Sequence, residues 1–317
     1  LGQRSPGKSI LGWLKILLST PKNIPQVYVL EYGIDHPGDM KYLCDIVRPN
    51  IGVLTGISPV HVENFQTVEQ LAEEKAQLLE CVYEDGLVVI NGDDTRVRGL
   101  IEHAKAKVLK YGFSESSDVM ASDFSISTRE DFSFEPGENF SNINMTTRTQ
   151  DGDVLQFELV NMLGKAVARS VVAAVAIAKH LGLSDEEIVS GVSDIEQEPG
   201  RMNAIAGIKG SLIIDSSYNA APASMAEALE VLSSFSLQDE QRRIVVFGEM
   251  AELGRYTEDE HRMIGMKIAE VGADILVTVG EKTRDMQRGA LDAGFDESKT
   301  EHFNNSVDAG RWLDSKV

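Results

Sequence analysis

The chain has 317 residues, 42% of them hydrophobic, with 30 basic and 50 acidic side chains and a formal net charge of −20. That length suits about two domains, and the ordinary apolar fraction excludes disorder as a whole-chain description. So large a negative excess repels a phosphate backbone and excludes general nucleic-acid binding.

A polyphosphate ligand would have to be held locally, by backbone N–H groups, a few basic side chains and metal ions. Cys44 and Cys81 lie far apart in sequence and make no CxxC pair. They are expected not to form a disulfide, in a reducing compartment. The longest apolar stretch, 10–18, is interrupted by Lys15. A bilayer span needs about 20 apolar residues, so no membrane insertion and a cytoplasmic location are expected. The stretch follows Lys8, the order found in a signal peptide, but Thr20-Pro21-Lys22-Asn23 reads as a helix stop, not a cleavage site. The chain starts on Leu1 rather than Met, which suggests a fragment.

Strand-length apolar runs then alternate with helix-period segments, the pattern of parallel βαβ units. A buried strand is expected over 27–31, a helix over 39–47 opened by Pro37, and a strand over 51–55. A helix over about 67–79, a strand over 87–90, a further helix and a strand over 107–111 complete one doubly wound sheet. From about 119 to 160 the polar, alternating sequence with a turn at Asp151-Gly152 predicts a small antiparallel appendage. Residues 166–181 are a strongly helical, Ala- and Val-rich segment, and Ser184 begins another helix with good N-cap chemistry. Glu198-Pro199-Gly200 reads as a linker, dividing the chain into 1–198 and 199–317. A second βα series follows, with strands over 211–214, 244–247 and 275–279 and helices from 224, over 257–271 and over 283–293. The sequence stops before a further strand could close that sheet.

In open α/β sheets ligands bind beyond the carboxyl ends of the strands. Glu31, His61 and Asn91 sit at or just after three such ends. Taken alone, Glu31 reads equally well as a capping or solvated carboxylate, and His61 as a hydrogen-bonded loop histidine. Together, a carboxylate and an imidazole suit a divalent metal carrying phosphate oxygens. Lys75 follows Glu73-Glu74 and reads first as part of a solvated face. Gly2-Gln-Arg-Ser-Pro-Gly-Lys8-Ser9 matches the GxxxxGK[ST] pattern literally, but no strand is seen before it and Pro6 removes an N–H from the cradle. Arg201 reads as a surface arginine and Asp215 as a helix cap, or the two as a clamp on a nucleotide's ribose and phosphates. The carboxylates of residues 247–254 cap a helix or meet a substrate ammonium, and His261 reads as structural.

Taken in order, Leu30-Glu-Tyr-Gly-Ile-Asp-His-Pro-Gly-Asp39, Arg48-Pro-Asn-Ile-Gly-Val-Leu-Thr55, Pro59-Val-His-Val-Glu63 and Asn91-Gly-Asp-Asp94 resemble the Mur ligases of peptidoglycan synthesis. Pro199-Gly-Arg-Met202, Ile214-Asp-Ser-Ser-Tyr-Asn-Ala220, Gly248-Glu-Met-Ala-Glu-Leu-Gly254 and Glu260-His261 continue the likeness. The resemblance implies an α/β fold: a P-loop-NTPase-like central domain with a mostly parallel sheet flanked by helices, followed by a Rossmann-like C-terminal domain. It implies an ATP-dependent amide ligase that joins D-alanyl-D-alanine to UDP-N-acetylmuramoyl-tripeptide through an acyl phosphate, as a monomer. It makes Glu31 and His61 ligands of Mg2+, two ions in all, and Lys75 the lysine carbamylated by CO2 into a further anionic ligand. Asn91 and Arg201 would contact ATP, with Asp215 and Asn219 where nucleotide and amino substrate meet. The chain departs from the family pattern at Gly56, Ala166-Val167, Ser216 and Ala221, each a lost hydrogen-bonding group. Those departures keep open another amino-acid ligase of the superfamily, or an inactive scaffold.

Overall fold

The structure, a computed structural model, describes residues 25–129, 134–135 and 138–316. The GxxxxGK[ST] match and the apolar stretch at 10–18 lie outside the described residues. The chain divides into two compact units, 1–33 and 34–317. In the first, residues 25–33 form neither helix nor strand, and Val27, Tyr28, Val29 and Leu30 are 56%, 63%, 94% and 51% exposed. The expected buried strand over 27–31 is therefore absent. Its composition is that of a strand, but a strand exists only where its backbone groups are paired in a ladder, and residues 27–31 have no ladder partner among the described residues.

The second unit begins with helix α1 (Asp39–Ile46), strand β1 (Ile51–Leu54) and the short helix α2 (Val62–Phe65). Helix α3 (Val68–Cys81), β2 (Leu87–Asn91), α4 (Thr95–Arg98) and β3 (Lys107–Gly112) follow. Three long strands come next: β4 (Val119–Thr128), β5 (Ser141–Thr149) and β6 (Val154–Val160). They are not an appendage. β4 pairs parallel with β3, and the six strands form one sheet in the order β1-β2-β3-β4-β5-β6, with β4–β6 antiparallel. Polar residues on the solvent side of these strands disguise their continuity with the core, since β6 buries every second residue, Leu155, Phe157 and Leu159. Helices α5 (Lys165–His180) and α6 (Asp185–Ser193) pack on this sheet through Ala168, Val171, Val172, Val175, Ile188 and Val192. Ser184 caps α6 in a capping box with Glu187.

Beyond Gly200, strands β7 (Asn203–Ala206) and β8 (Leu212–Asp215) form a two-stranded antiparallel ribbon, separate from the other sheets among the described residues. The strand expected to open the second βα series is thus half of a separate ribbon. Helix α7 (Pro222–Ser234) leads to the parallel three-stranded sheet β11-β10-β9, made of β9 (Ile244–Phe247), β10 (Ile275–Val279) and β11 (Thr300–Phe303). Helices α8 (Thr257–Glu270), α9 (Thr283–Asp292) and α10 (Ser306–Asp314) accompany it. β11 was not expected; its sequence Thr-Glu-His-Phe is too short and polar to announce an edge strand. α8 and α9 cross closely: a Cβ on Gly265 would collide with the Met286 carbonyl, and one on Gly289 with that of Arg262. A hydrophobic cluster of Phe140, Leu163, Met202, Val231 and Phe235 packs the end of the six-stranded sheet region against α7.

The cysteines correct another expectation. Cys44 of α1 and Cys81 at the end of α3 form a disulfide, Cα–Cα 6.3 Å, because α1 packs along α3. Around it, the Met40 N–H donates to Glu74 Oε1 (2.8 Å), and Arg48 Nε donates to the Cys81 carbonyl (2.7 Å) with its guanidinium over the Tyr83 ring. Tertiary packing, not sequence spacing, makes this pair.

Candidate functional site

At the carboxyl ends of β1 and β2 the backbone is tied together by side chains. Asn91, nearly fully buried, donates from Nδ2 to the Thr55 carbonyl (2.9 Å) and accepts the Asp93 N–H at Oδ1 (3.0 Å). Both its hydrogen-bonding groups are therefore engaged with backbone. Asp94 accepts the Ile57 N–H (3.0 Å) on one carboxylate oxygen and caps α4 with the other, through the Arg96 and Val97 N–H groups. Gly56 lies between, its would-be Cβ 3.6 Å from Asp94 Oδ2.

Lys75 points into this corner. It sits four residues after Leu71 and three before Leu78, both buried, so the helical period turns it inward with them. Its ammonium donates to the Gly56 carbonyl (3.3 Å). Burial pushes its pKa below the ordinary lysine value, against the opposing pull of the Asp94 carboxylate. The solvated-face reading from Glu73-Glu74 does not hold: Glu74 itself is 5% exposed, accepting the Met40 and Gln77 N–H groups.

His61 stands at a different contact. It has φ 66°, in the left-handed region, and precedes α2. Its Nδ1 lies 2.5 Å from Glu252 Oε2 and 3.9 Å from Asp35 Oδ1. Nδ1 is closed to solvent and off the hydrogen-bond axis of both, although the side chain as a whole is 41% exposed. Glu252, on the loop after β9, also accepts the Glu63 N–H at its carbonyl (3.4 Å). Two residues on, Gly254 has φ 52° and runs so close to Glu63 that a Cβ would stand 3.1 Å from the Glu63 Cα. The loop is anchored by His261, fully buried, whose Nε2 accepts the Met250 N–H (3.1 Å) while Nδ1 donates to the Thr257 carbonyl (2.7 Å). Burial pushes the His261 pKa down, partly opposed by that carbonyl, so the neutral ring is the stable form.

The remaining predicted residues gather on the β7–β8 ribbon. The Arg201 guanidinium lies 4.2 Å above the Tyr218 ring, and the Tyr218 N–H donates to the Gly200 carbonyl (3.0 Å). Asp215 accepts the Ser217 N–H (3.0 Å), and the exposed Asn219 accepts the Ala220 N–H (2.9 Å). Glu31 is exposed and belongs to the first unit. Among the described residues, no three His, Cys, Asp or Glu side chains are gathered closely enough to hold a metal ion. No helix among them is long and apolar enough to cross a membrane.

The family model of the Mur ligase middle domain matches residues 7–178, and that of the Mur ligase glutamate ligase domain matches residues 200–315. The chain belongs to the Mur ligase family. It is 28% identical over 293 residues to the UDP-N-acetylmuramoyl-tripeptide–D-alanyl-D-alanine ligase of Bacillus subtilis, covering 92% of this chain and 59% of that protein. The ligase of the same name from Escherichia coli is 26% identical over 259 residues, 80% of this chain and 53% of that one. In structure it is similar to MurF from Acinetobacter baumannii, with TM-score 0.75 and 26% identity over 90% of this chain and 57% of that one. The chain spans about half the length of the curated relatives it matches.

Three further groups shape this region of the Mur ligase chain. Asp93, two residues after Asn91, accepts the Phe113 (3.0 Å) and Ser114 (2.9 Å) N–H groups and the Arg169 Nε (3.3 Å), tying β2, β3 and α5 together. Glu227 of α7 accepts the Ala166 N–H (2.6 Å) and covers Gly164, so a carboxylate sits over the start of α5. Glu252 lies within a stretch already noted for its carboxylates, but nothing local pairs it with His61.

Proposed function

We propose that the protein is an ATP-dependent amide ligase that joins D-alanyl-D-alanine to UDP-N-acetylmuramoyl-tripeptide, releasing ADP and phosphate. Its middle domain would occupy 1–198 and its C-terminal domain 199–317. Membership of the Mur ligase family and the names of the relatives support this reading. One observation carries the site: Lys75 is held at the strand ends with its charge disfavoured by burial. A free amine, not an ammonium, is what attacks CO2, so the environment suits carbamylation of Lys75 and its conversion from a competing cation into an oxygen donor.

The donor chemistry suits magnesium, with His61 offering the ring edge away from Nδ1 and Lys75 a carbamate oxygen; Glu31 is the carboxylate that the family resemblance adds to this set. Bound there, magnesium would neutralise charge on the phosphoryl oxygens as ATP phosphorylates the tripeptide's terminal carboxylate. Arg201, Asp215 and Asn219 would meet ATP and the amino substrate from the β7–β8 ribbon, and Asn91 would shape the nucleotide corner through the backbone it ties. The attacking amine of D-alanyl-D-alanine then displaces phosphate from the acyl phosphate. A cytoplasmic monomer is part of this reading.

The test has two arms. The full-length protein, given ATP, magnesium and the tripeptide, should release phosphate only when D-alanyl-D-alanine is present, with the ligated product seen by mass spectrometry. Release with another amino acid in its place points to a different member of the superfamily, and no release with any acceptor points to an inactive scaffold. Separately, 13C-bicarbonate should give a protein carbamate resonance that is lost in Lys75→Arg. A resonance that survives the substitution overturns the role given to Lys75.

A further inference from the structure

We infer that Glu252 is a positioning residue for His61, through which the β9–α8 loop sets the orientation and tautomer of that imidazole. A buried ring nitrogen without a partner costs about 1–3 kcal/mol, and Nδ1 of His61 is closed to solvent. Among the described residues, Glu252 Oε2 is the carboxylate oxygen within hydrogen-bonding distance of it, at 2.5 Å, with Asp35 beyond that range at 3.9 Å. A small rotation of the ring would bring this carboxylate onto the Nδ1–H axis, fix the proton there and leave Nε2 as the unprotonated edge, the arrangement by which histidine ligands are commonly oriented from behind.

The contact is built on both sides. His61 and Glu252 both have positive φ, 66° and 60°, a conformation that costs a non-glycine residue about 1 kcal/mol or more. Such outliers persist where the surroundings over-determine them. Here the Glu63 N–H bond to the Glu252 carbonyl, the close passage of Gly254 over Glu63, and the burial of Met250 and Leu253 hold the two loops together. The buried His261 fastens the loop to α8 from within. Displacing the three-stranded sheet region would therefore withdraw the carboxylate from Nδ1 and free the ring.

This inference rests on His61 as a metal ligand for its consequence, but not for its primary observable. In the full-length protein, 15N resonances of the His61 ring should report the Nδ1–H tautomer. Glu252→Ala should shift the ring toward the Nε2–H form, and Glu252→Gln, which retains an amide oxygen, should shift it less. Binding of Mn2+, followed by electron paramagnetic resonance, should weaken about tenfold in Glu252→Ala. An unchanged tautomer in both variants overturns the inference. If the tautomer shifts as expected while His61→Ala leaves Mn2+ binding untouched, the positioning role stands and the metal role of His61 falls.

Discussion

Breaking the Cys44–Cys81 disulfide should destabilise the six-stranded sheet region measurably. The bond closes a loop of 37 residues in sequence separation that contains β1, α2 and nearly all of α3. The chain-entropy relation for a loop of that length gives about 13 cal/mol/K, or about 4 kcal/mol at room temperature. That figure is an upper value, because residual structure in the reduced, unfolded chain already restricts part of the entropy that the cross-link removes. The assay is urea unfolding of the oxidised protein against the protein in a phosphine reductant, with a Cys44→Ala/Cys81→Ala double variant as a check that reduction elsewhere is not involved. Amide exchange should speed up over α1 first and over the buried strand β2 last. A loss below about 1 kcal/mol, or two titratable thiols in the untreated denatured protein, would refute the reasoning from loop closure.

Three further outcomes follow from packing and charge. Gly265→Ala should lower stability by about 3 kcal/mol, since the new methyl group drives α8 off the Met286 carbonyl, and calorimetry of the variant reads this directly. Asp93→Ala should cost about 2–3 kcal/mol in urea unfolding by stranding the Phe113 and Ser114 N–H groups and Arg169. The pKa of His261 is lowered in the folded protein, so its contribution is complete above the unfolded value, about 6.5, and is lost as pH falls through the folded one. Wild type should therefore lose melting temperature faster than His261→Gln on acidification below that point; parallel slopes would show that His261 takes no part.

The legible parts of the fold were those where one short window carries the whole signal. The strand at 275–279 and the helix from Thr257 were readable because an apolar run or a helical period lies between clear breakers. Val27 to Leu30 carries the same composition and is exposed, because no window of sequence says whether a ladder partner is in place. The polar solvent faces of β4 to β6 suggest an appendage, although Ile143, Met145 and Phe157 lie in the main core. The spacing of Lys75 to Leu71 and Leu78 carries its inward direction, whereas the adjacent Glu73 and Glu74 alone suggest a solvated face. The disulfide and the meeting of His61 with Glu252 join segments remote in sequence, and only packing creates them.

The change from parallel to antiparallel pairing at β4 gives the six-stranded sheet two different assembly problems. β5 and β6 meet across a tight turn at Asp151-Gly152, so their ladder forms after the closure of a very small loop. β1 and β2 meet only after the chain has crossed over through α3, which makes their pairing intrinsically slower. The hydrophobic side of the β5–β6 ribbon is thus expected to be available early, as a surface on which the Ala- and Val-rich α5 settles before β1 and β2 take their places beside it.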